Sequence, residues 1–310
     1  MKSLVTGGAG FIGSNLVDAL LARGDEVTVL DDLSTGRRVN LEGALANGAR
    51  LAVVDVRDGE AVGAVFAEAR PELVFHLAAQ IDVRKSVEDP FFDAAINVGG
   101  TANVLEAARA GGVGRVVFVS TGGALYGEGA DKQLPLPEST PIAPLSGYGQ
   151  SKYAAEGYLG LFERLHGLSG MSLRLGNVYG PRQDPLGEAG VVAIFCGLLK
   201  NGGAPIVYGD GTQTRDYIYV GDVVAAALAA GATRLGGAVN IGTGREASVL
   251  DIVDILAGLG GREDFVPEFA PPRAGEVQRI SLDAALAERE LDWAPDTTLE
   301  QGLKLTLDSM

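Results

Sequence analysis

Short apolar runs alternate with longer amphipathic stretches over the first 175 residues. The short runs predict strands over residues 4–5, 26–30, 51–54, 73–76, 115–120 and 171–175. Between them, apolar residues recur with helical spacing, as at Leu16, Ala19 and Leu20, and predict helices over 15–22, 94–110 and 148–165. Alternating strands and helices are typical of a parallel sheet covered on both faces. The pattern therefore predicts an α/β fold with a doubly wound parallel sheet.

The regular alternation stops after Asn177. Beyond it, the apolar pattern predicts helices over 191–200, 222–230, 248–258 and 299–307, and strands over 205–208 and 238–242. Residues 133–145, which include four prolines, and residues 180–188 predict loops. This organisation predicts a second, smaller α/β domain that covers the substrate.

A glycine-rich turn, Gly7-x-x-Gly10-x-x-Gly13, joins the first predicted strand to the first predicted helix. The free N–H groups and the positive dipole end of such a helix bind a diphosphate. Gly7 permits the tight turn, Gly10 lets the backbone approach the phosphates, and Gly13 lets the helix pack on the strand. In this context the turn predicts a dinucleotide site.

Asp31 ends the second predicted strand, about 20 residues beyond the glycines. A carboxylate at this point binds the ribose hydroxyls of adenosine and repels a 2′-phosphate. We therefore expect NAD rather than NADP, although Arg37 and Arg38 follow closely and keep NADP open.

Charge and cysteine content narrow the classes of partner. The net charge of −15 argues against nucleic acid and against an anionic membrane. No apolar run is long enough to span a bilayer, and no signal-peptide pattern is present, so a cytoplasmic enzyme is expected. The single cysteine, Cys196, excludes an internal disulfide, and two histidines without zinc-type spacing predict no metal site.

Tyr148-x-x-x-Lys152 lies at the start of a predicted helix, and its i, i+4 spacing puts both side chains on one face. A tyrosine is a poor base at neutral pH because its pKa is about 10. A nearby ammonium lowers that pKa, and the cationic ring of an oxidised nicotinamide lowers it further. The pair therefore predicts proton transfer by Tyr148 beside hydride transfer, with Lys152 holding the nicotinamide ribose.

Ser120 and Thr121 end the fifth predicted strand, where doubly wound sheets bind their ligands. A hydroxyl at this position can share a hydrogen bond with a substrate oxygen and with Tyr148. The alternative is a hydroxyl that only caps its own turn.

These motifs resemble those of the extended short-chain dehydrogenase/reductase family and, within it, the NAD-dependent sugar-nucleotide epimerases. The resemblance covers essentially the whole chain, and its most telling segments are 174–182 and 215–222; the others are 6–13, 76–80, 120–127, 148–152 and 271–276. It implies a Rossmann domain of residues 1–175 plus 214–242 that binds NAD, and a nucleotide-sugar-binding domain of residues 176–213 plus 243–310. It also implies that the protein is a homodimer. The implied reaction inverts carbon 4 of a UDP-hexose, either UDP-glucose or UDP-galactose, through a 4-keto intermediate.

The resemblance assigns the NAD site to the glycine turn with Phe11 and Ile12, to the pair Tyr148 and Lys152, and to residues at the strand ends. These are Asp31, Asp32, Ser34 and Gly36 around the adenosine ribose, Asp55 and Val56 at the adenine, Leu77, Ala78, Ala79 and Asn97 along the cleft, and Val178 at the nicotinamide.

The resemblance also implies a substrate site. Its residues are Asn177 at the phosphates, Val191, Val207 and Tyr208 near the uridine, Arg215 and Arg273 as a diphosphate clamp, Glu276, Ile280 and the catalytic Thr121. The planar guanidinium fork of arginine suits a diphosphate.

The chain departs from the family pattern at two positions. The catalytic Ser or Thr of the family often stands where this chain has Gly122, so Thr121 is the expected hydroxyl and Ser120 the second choice. The residue that gates the sugar pocket is often a tyrosine, and here Ile280 takes its place. A smaller residue leaves more room, which predicts that N-acetylated UDP-hexosamines are accepted.

Other functions stay open at this point. A UDP-uronic acid 4-epimerase is one. A 4,6-dehydratase or decarboxylase of the same fold needs a carboxylate beside the strand-five hydroxyl, where this chain has Gly122 and Gly123. A 4-ketoreductase that uses NADPH is disfavoured by Asp31, and a non-catalytic NAD-binding protein is disfavoured by Tyr148 and Lys152.

Overall fold

The computed structural model describes residues 1–129, 131–185, 190–272 and 277–310. The strands in these ranges are β1 (Lys2–Thr6), β2 (Glu26–Asp31), β3 (Arg50–Val53), β4 (Leu73–His76), β5 (Arg115–Thr121), β6 (Gly170–Leu175), β7 (Asn177–Tyr179), β8 (Ile206–Tyr208), β9 (Thr214–Arg215), β10 (Tyr217–Tyr219), β11 (Ala238–Ile241), β12 (Ala247–Ser248) and β13 (Glu268–Ala270). The helices are α1 (Phe11–Ala22), α2 (Glu42–Ala46), α3 (Gly59–Ala69), α4 (Val83–Glu88), α5 (Pro90–Ala94), α6 (Thr101–Ala110), α7 (Gly122–Leu125), α8 (Gly147–His166), α9 (Val191–Asn201), α10 (Val220–Ala232), α11 (Val249–Gly260), α12 (Ala285–Leu291) and α13 (Leu299–Asp308).

The main sheet has, within the described residues, seven parallel strands in the order β11-β6-β5-β4-β1-β2-β3. The chain leaves β1 towards β2 and β3, and later returns to the other side of β1 with β4. At this reversal the carboxyl ends of β1 and β4 diverge towards different helices, which opens the crevice that binds ligands in doubly wound sheets. The predicted fold class is confirmed.

Apolar residues on both faces of the sheet explain why helices cover it. On one face, Leu16 and Leu20 of α1 pack with Val223 and Ala227 of α10 in a fully buried cluster. On the other face, α3, α6 and α8 form the second cluster, which includes Phe66. Central strands with both faces covered are apolar along almost their whole length, as the sequence pattern predicts.

The predicted helix over 94–110 is interrupted in the structure. A π-helical segment, Ala95–Gly100, stands between α5 and α6. The wider π turn lets the Asn97 side chain bond to Gln80 and Ser151. A Cβ on Gly100 would lie 2.6 Å from the Val56 side chain, so this turn also passes close to the end of β3. Apolar periodicity does not report such a local widening.

The part of the chain after β6 builds a third cluster around Phe195, Ile252 and Leu303, from α9, α11 and α13. Three pairs of short strands accompany it: β7 with β10, β9 with β12, and β8 with β13. Ser248 caps the start of α11 through a reciprocal capping box with Asp251. The strand predicted over 238–242 is confirmed as β11, which pairs with β6, whereas β13 was not predicted. Part of the predicted loop over 180–188 lies outside the described residues.

None of the helices in the described ranges combines the length and the apolarity that a membrane span requires.

Candidate active site

The glycine turn between β1 and α1 leaves no room for side chains. Gly7 has a φ of +68°, and a Cβ there would lie 2.7 Å from the backbone nitrogen of Ala78. A Cβ on Gly13 would overlap the carbonyl oxygen of Gly7. No side chain caps the first turn of α1, whose N-cap is Gly10. The turn from Gly7 to Gly13, called the glycine cradle below, and the uncapped helix end therefore fit a diphosphate group.

Asp31 is buried at the end of β2, and its carboxylate is already engaged by the backbone. One oxygen accepts a hydrogen bond from Ala9 N (2.9 Å), and the other accepts one from Leu33 N (2.9 Å). Burial raises the pKa of Asp31, while these two bonds oppose the rise. A carboxylate has about four lone-pair sites, so both oxygens retain capacity to accept from ribose hydroxyls.

The other residues expected at the adenosine lie around Asp31. Asp32 accepts hydrogen bonds from the amide and the hydroxyl of Ser34, and Gly36 approaches the Asp31 carboxylate so closely that a Cβ would lie 2.7 Å from it. Asp55 pairs with Arg57, which lowers the pKa of the Asp55 carboxyl. Val56 is buried nearby in the second cluster.

His76, at the end of β4, helps to hold the loop that follows this strand, and both of its ring nitrogens are hydrogen-bonded. The hydroxyl of Thr101 donates to Asn97 O (2.6 Å), so it accepts from His76 Nε2 (2.9 Å). His76 Nδ1 then accepts from the Thr6 hydroxyl (2.6 Å). The Thr6 oxygen in turn accepts from the backbone amides that begin the expected cleft, Leu77 and Ala78. Burial lowers the pKa of His76 to about 3, so the imidazole stays neutral.

Tyr148, Lys152 and Thr121 come together as the sequence predicts. Tyr148 lies in the first turn of α8, whose N-cap Ser146 accepts from Gly149 N (3.1 Å). Thr121 ends β5, where its oxygen accepts from Ala124 N (3.2 Å), and it is hydrogen-bonded to Tyr148. Successive strand residues face opposite sides of a sheet, so this bond favours Thr121 over Ser120.

The protonation of this trio differs from the expectation. Burial raises the pKa of Tyr148 to about 12, and the hydrogen bond from Thr121 lowers it only in part. Burial also lowers the pKa of Lys152 to about 7. The lysine nitrogen lies 4.4 Å from the centre of the Phe118 ring. The protein alone therefore keeps Tyr148 as a phenol, because desolvation of the phenolate outweighs the hydrogen bond from Thr121 and the charge of Asp93 adds to the rise.

Two groups near this pair were missed by the sequence analysis. Glu156, one helical turn beyond Lys152, forms a buried ion pair with Arg174 (2.7 Å). Its i, i+4 spacing from Lys152 was a usable signal. Asp93 of α5 is 1% exposed and bonds to Gln80 and Asn97. No sequence signal marked it, because α5 and α8 meet only in the folded chain.

The expected substrate residues lie along the short strand pairs after β6. Asn177 begins β7, and its side-chain oxygen lies 3.4 Å from where a Cβ on Gly123 would stand. Arg215, in β9, donates to Thr214 O (2.9 Å). Val178 in β7 accepts a bond from Gln183 through its carbonyl. The short distance to Gly123 places the Asn177 side chain near the carboxyl end of β5.

A cavity of about 420 Å³ lies beside β8. Its lining residues are Tyr208, Gly209, Asp210, Gln213, Ala270, Pro272 and Gln278. Val207 of β8 is buried in the cluster around Phe195 and Ile252, and Val191 begins α9. Arg273 and Glu276 lie outside the described residues. Ile280 is 2% exposed and packs with Tyr126, Leu136 and Leu282.

Comparison with known proteins places the chain in a family. A family model described as the NAD-dependent epimerase/dehydratase family matches residues 3–242. A UDP-glucose 4-epimerase of Mycolicibacterium smegmatis is 47% identical over 99% of this chain and 98% of its own length. Two solved structures of UDP-glucose 4-epimerases are 45% identical and span 100% of this chain and 98% of theirs: one from Thermotoga maritima with UDP-glucose (TM-score 0.95), and one from Thermus thermophilus with NAD (TM-score 0.92). This chain belongs to the NAD-dependent epimerase/dehydratase family, and its cofactor is NAD.

Proposed function

We propose that this protein interconverts UDP-glucose and UDP-galactose by inverting carbon 4 of the sugar. The observation that carries the proposal is the trio of Tyr148, Thr121 and Lys152 at the carboxyl end of β5, beside the glycine cradle. The close likeness of the chain to UDP-glucose 4-epimerases supports it. NAD, when bound, supplies reversible hydride transfer at carbon 4.

The proton transfer and the positioning of substrate and cofactor are carried out by residues of the chain. Tyr148 takes the proton of the sugar 4-hydroxyl and later returns it, and Thr121 hydrogen-bonds the same oxygen. Lys152 holds the nicotinamide ribose. A Tyr148 pKa of about 12 in the protein alone keeps the phenol protonated. Positive charge next to the phenol favours the phenolate, so the tyrosine becomes a base only when the oxidised, cationic cofactor lies beside it.

The glycine pair after Thr121 argues against a dehydratase. A Cβ on Gly122 would overlap the side chain of Leu282, which is fully buried. A carboxylate at this position would therefore require the buried leucine to move. Gly122 and Gly123 therefore leave the positions next to the Thr121 hydroxyl without the acid/base carboxylate that a dehydratase needs there.

The sugar must turn over between the two transfers, so its binding has to come from the nucleotide end. We assign the diphosphate to Arg215 and Arg273, its phosphate oxygens also to Asn177, and the uridine to the neighbourhood of Val191, Val207 and Tyr208. The cavity beside β8 supports this assignment because Tyr208 lines it. Remote binding energy of this kind keeps an intermediate in place while the reacting group moves.

A wider sugar range is part of the proposal. Ile280 is smaller than the tyrosine that gates the pocket in many relatives, which predicts turnover of UDP-N-acetylglucosamine. Turnover of UDP-galactose without any conversion of the N-acetylated sugar would contradict this prediction.

We also propose the domain division stated from the sequence, 1–175 plus 214–242 and 176–213 plus 243–310, and a cytoplasmic location. The separate apolar cluster around Phe195 and Ile252 supports the division.

A homodimer completes the proposal. Large apolar side chains are exposed on α4, α5 and α8: Val87, Phe91, Tyr153, Tyr158, Leu161 and Leu165. An apolar face of this kind favours association with a second copy. Sedimentation velocity tests it: L165E should yield monomer, whereas V53E, at an exposed site of β3, should not. A monomeric wild type would refute it.

The test of the reaction is incubation of the purified protein with UDP-galactose and no added NAD. Formation of UDP-glucose is expected, and it also demonstrates that the protein retains its cofactor. Failure to convert the sugar with NAD supplied would overturn the proposed function.

A further inference from the structure

Asp93 is a buried carboxylate that the proposed chemistry does not use. It is 1% exposed, and one of its oxygens accepts hydrogen bonds from Gln80 Nε2 (2.9 Å) and Asn97 Nδ2 (3.1 Å). Over the described ranges, no lysine or arginine lies within ion-pair distance of it. A buried carboxylate with only neutral donors loses solvation without the gain of an ion pair. The effect of the Asp93 charge on other residues therefore depends on where Asp93 lies in the fold.

The hydrogen bonds of Asn97 connect Asp93 to the helix of the catalytic pair. Besides Asp93, Asn97 Nδ2 donates to Gln80 O (3.0 Å) and to Ser151 Oγ (2.9 Å), and Asn97 Oδ1 accepts from Gln80 N (2.8 Å). Ser151 in turn donates to Tyr148 O (3.1 Å). Ser151 precedes Lys152 in α8. The carboxylate is thus connected to the backbone carbonyl of Tyr148 in α8 through one amide and one hydroxyl.

Two carboxylates oppose the effect of burial on the pKa of Lys152: Glu156 is the larger influence and Asp93 the smaller. Below the ammonium lies the Phe118 ring of β5, and His76 of β4 is neutral. On α8 itself, Glu156 is negative but paired with Arg174 of β6.

Asp93 of α5 is the second of these anions and, unlike Glu156, has no ion-pair partner among the described residues; together with Glu156 it opposes the loss of the Lys152 proton that burial promotes. The same charge raises the pKa of Tyr148. Asp93 therefore favours the protonated form of both members of the catalytic pair.

We propose that Asp93 is a positioning residue for the catalytic pair: its carboxylate orients the Asn97 amide against α8 and supplies a buried negative charge that favours the ammonium form of Lys152. The assignment of Lys152 as the cofactor-side cation rests on the proposed function. The electrostatic coupling itself concerns only residues of this chain and can be measured without turnover.

The variant D93N tests the charge with little change in shape, because its amide oxygen still accepts from Gln80 and Asn97. The chain has six lysines, so their Cε carbons labelled with ¹³C can be followed individually by NMR, with the Lys152 signal identified by its absence in K152M. In the protein as purified, with its cofactor, the titration midpoint of Lys152 should fall by about one pH unit in D93N, as expected for removal of a nearby opposite charge. An unchanged midpoint would overturn the proposal.

Two further variants separate charge from folding. D93E restores the negative charge and should return the Lys152 midpoint towards the wild-type value. D89N removes an exposed carboxylate that caps the same helix, where asparagine caps equally well, and should leave the midpoint unchanged. A shift in D89N as large as that in D93N would refute a specific role of Asp93.

Kinetics supply the second readout. D93N should lose turnover of UDP-galactose mainly on the alkaline side, where its Lys152 has lost the proton, with KM within about twofold of wild type. An equal loss at every pH would indicate a purely structural role and would contradict the proposal. If wild type epimerises UDP-galactose but the Lys152 midpoint is the same in D93N as in wild type, only the proposed role of Asp93 is refuted. If wild type does not epimerise UDP-galactose, the proposed function is refuted, and the NMR titration still decides the role of Asp93.

Discussion

On the cofactor side of the crevice, strands β2, β1 and β4 are buried along almost their whole length, whereas the substrate side consists of short strand pairs held by buried carboxylates. Asp216 accepts from the amides of Thr243, Gly244 and Leu282. It thereby connects three separate segments of the chain. The first side is held by a continuous apolar core, and the second by a few strong polar contacts.

The difference suits the proposed division of labour. A cofactor retained through many turnovers needs a cradle that does not deform, and a close-packed core resists deformation. A substrate that enters, turns and leaves needs a surface assembled from separable segments. Asp222 has a similar connecting role, since it accepts from Thr297 while its carbonyl accepts from Trp293.

The largest effect is expected for Y148F, which removes the proton acceptor and leaves the fold of the cofactor side and of the substrate side unchanged. Y148F should lower kcat for UDP-galactose by about 10²–10⁴-fold, because the proton of the 4-hydroxyl loses its acceptor. Retained NAD, measured by absorbance and fluorescence of the purified protein, should be unchanged. Y153F, at an exposed tyrosine of the same helix, is the matched control. Near-normal turnover in Y148F would remove Tyr148 from the mechanism.

The next effect concerns the cofactor side at acid pH. His76 stays neutral in the folded protein because its pKa is lowered to about 3, whereas an unfolded histidine binds a proton below pH 6.5. The unfolded state therefore gains protons as pH falls, and this residue alone should cost about 3 kcal/mol of stability between pH 6.5 and 4. In urea unfolding, H76N should be less stable at pH 7 and should lose stability less steeply towards pH 4. H166Q, at the exposed histidine, serves as control. Equal slopes in H76N and wild type would contradict the assignment.

A smaller effect tests the cradle directly. G13A places a methyl group against the Gly7 carbonyl and should destabilise the protein by about 1–3 kcal/mol while releasing NAD. G63A is the control, because Gly63 lies within α3 with open space around it, and alanine there should stabilise by about 0.5–1 kcal/mol. A stable G13A that copurifies with NAD would show that the cradle tolerates a side chain.

The smallest effect addresses the substrate side. R215K keeps the charge but loses the planar fork, so KM for UDP-galactose should rise about tenfold with little change in kcat and none in NAD content. R245K, at a nearby exposed arginine, should behave as wild type. An unchanged KM in R215K would place the diphosphate elsewhere.

The cofactor side was largely predictable, because its signals are local. Strand, turn and helix follow one another within the first 22 residues, and Tyr148 and Lys152 share one helix face by spacing alone. The substrate side was less so. Strand β13 pairs with β8 across about 60 residues of intervening chain, and neither strand is long enough for a clear alternation. The place of Ile280 at the sugar pocket stays a prediction, and its packing with Tyr126 and Leu136 depends on which loops meet in the folded chain.

The sequence by itself determined the parallel sheet, the glycine cradle and the preference for NAD, and it predicted the pair Tyr148 and Lys152, since each depends on residue types at short, fixed spacings. Only the tertiary structure decided the protonation of that pair. Desolvation and charge depend on what lies within a few ångströms, irrespective of distance along the chain. Asp93 lies far from Lys152 in sequence yet bears on its proton, and the π turn that carries Asn97 links the two. Burial, which no spacing reports, raised the pKa of Tyr148 where the motif alone predicted a fall.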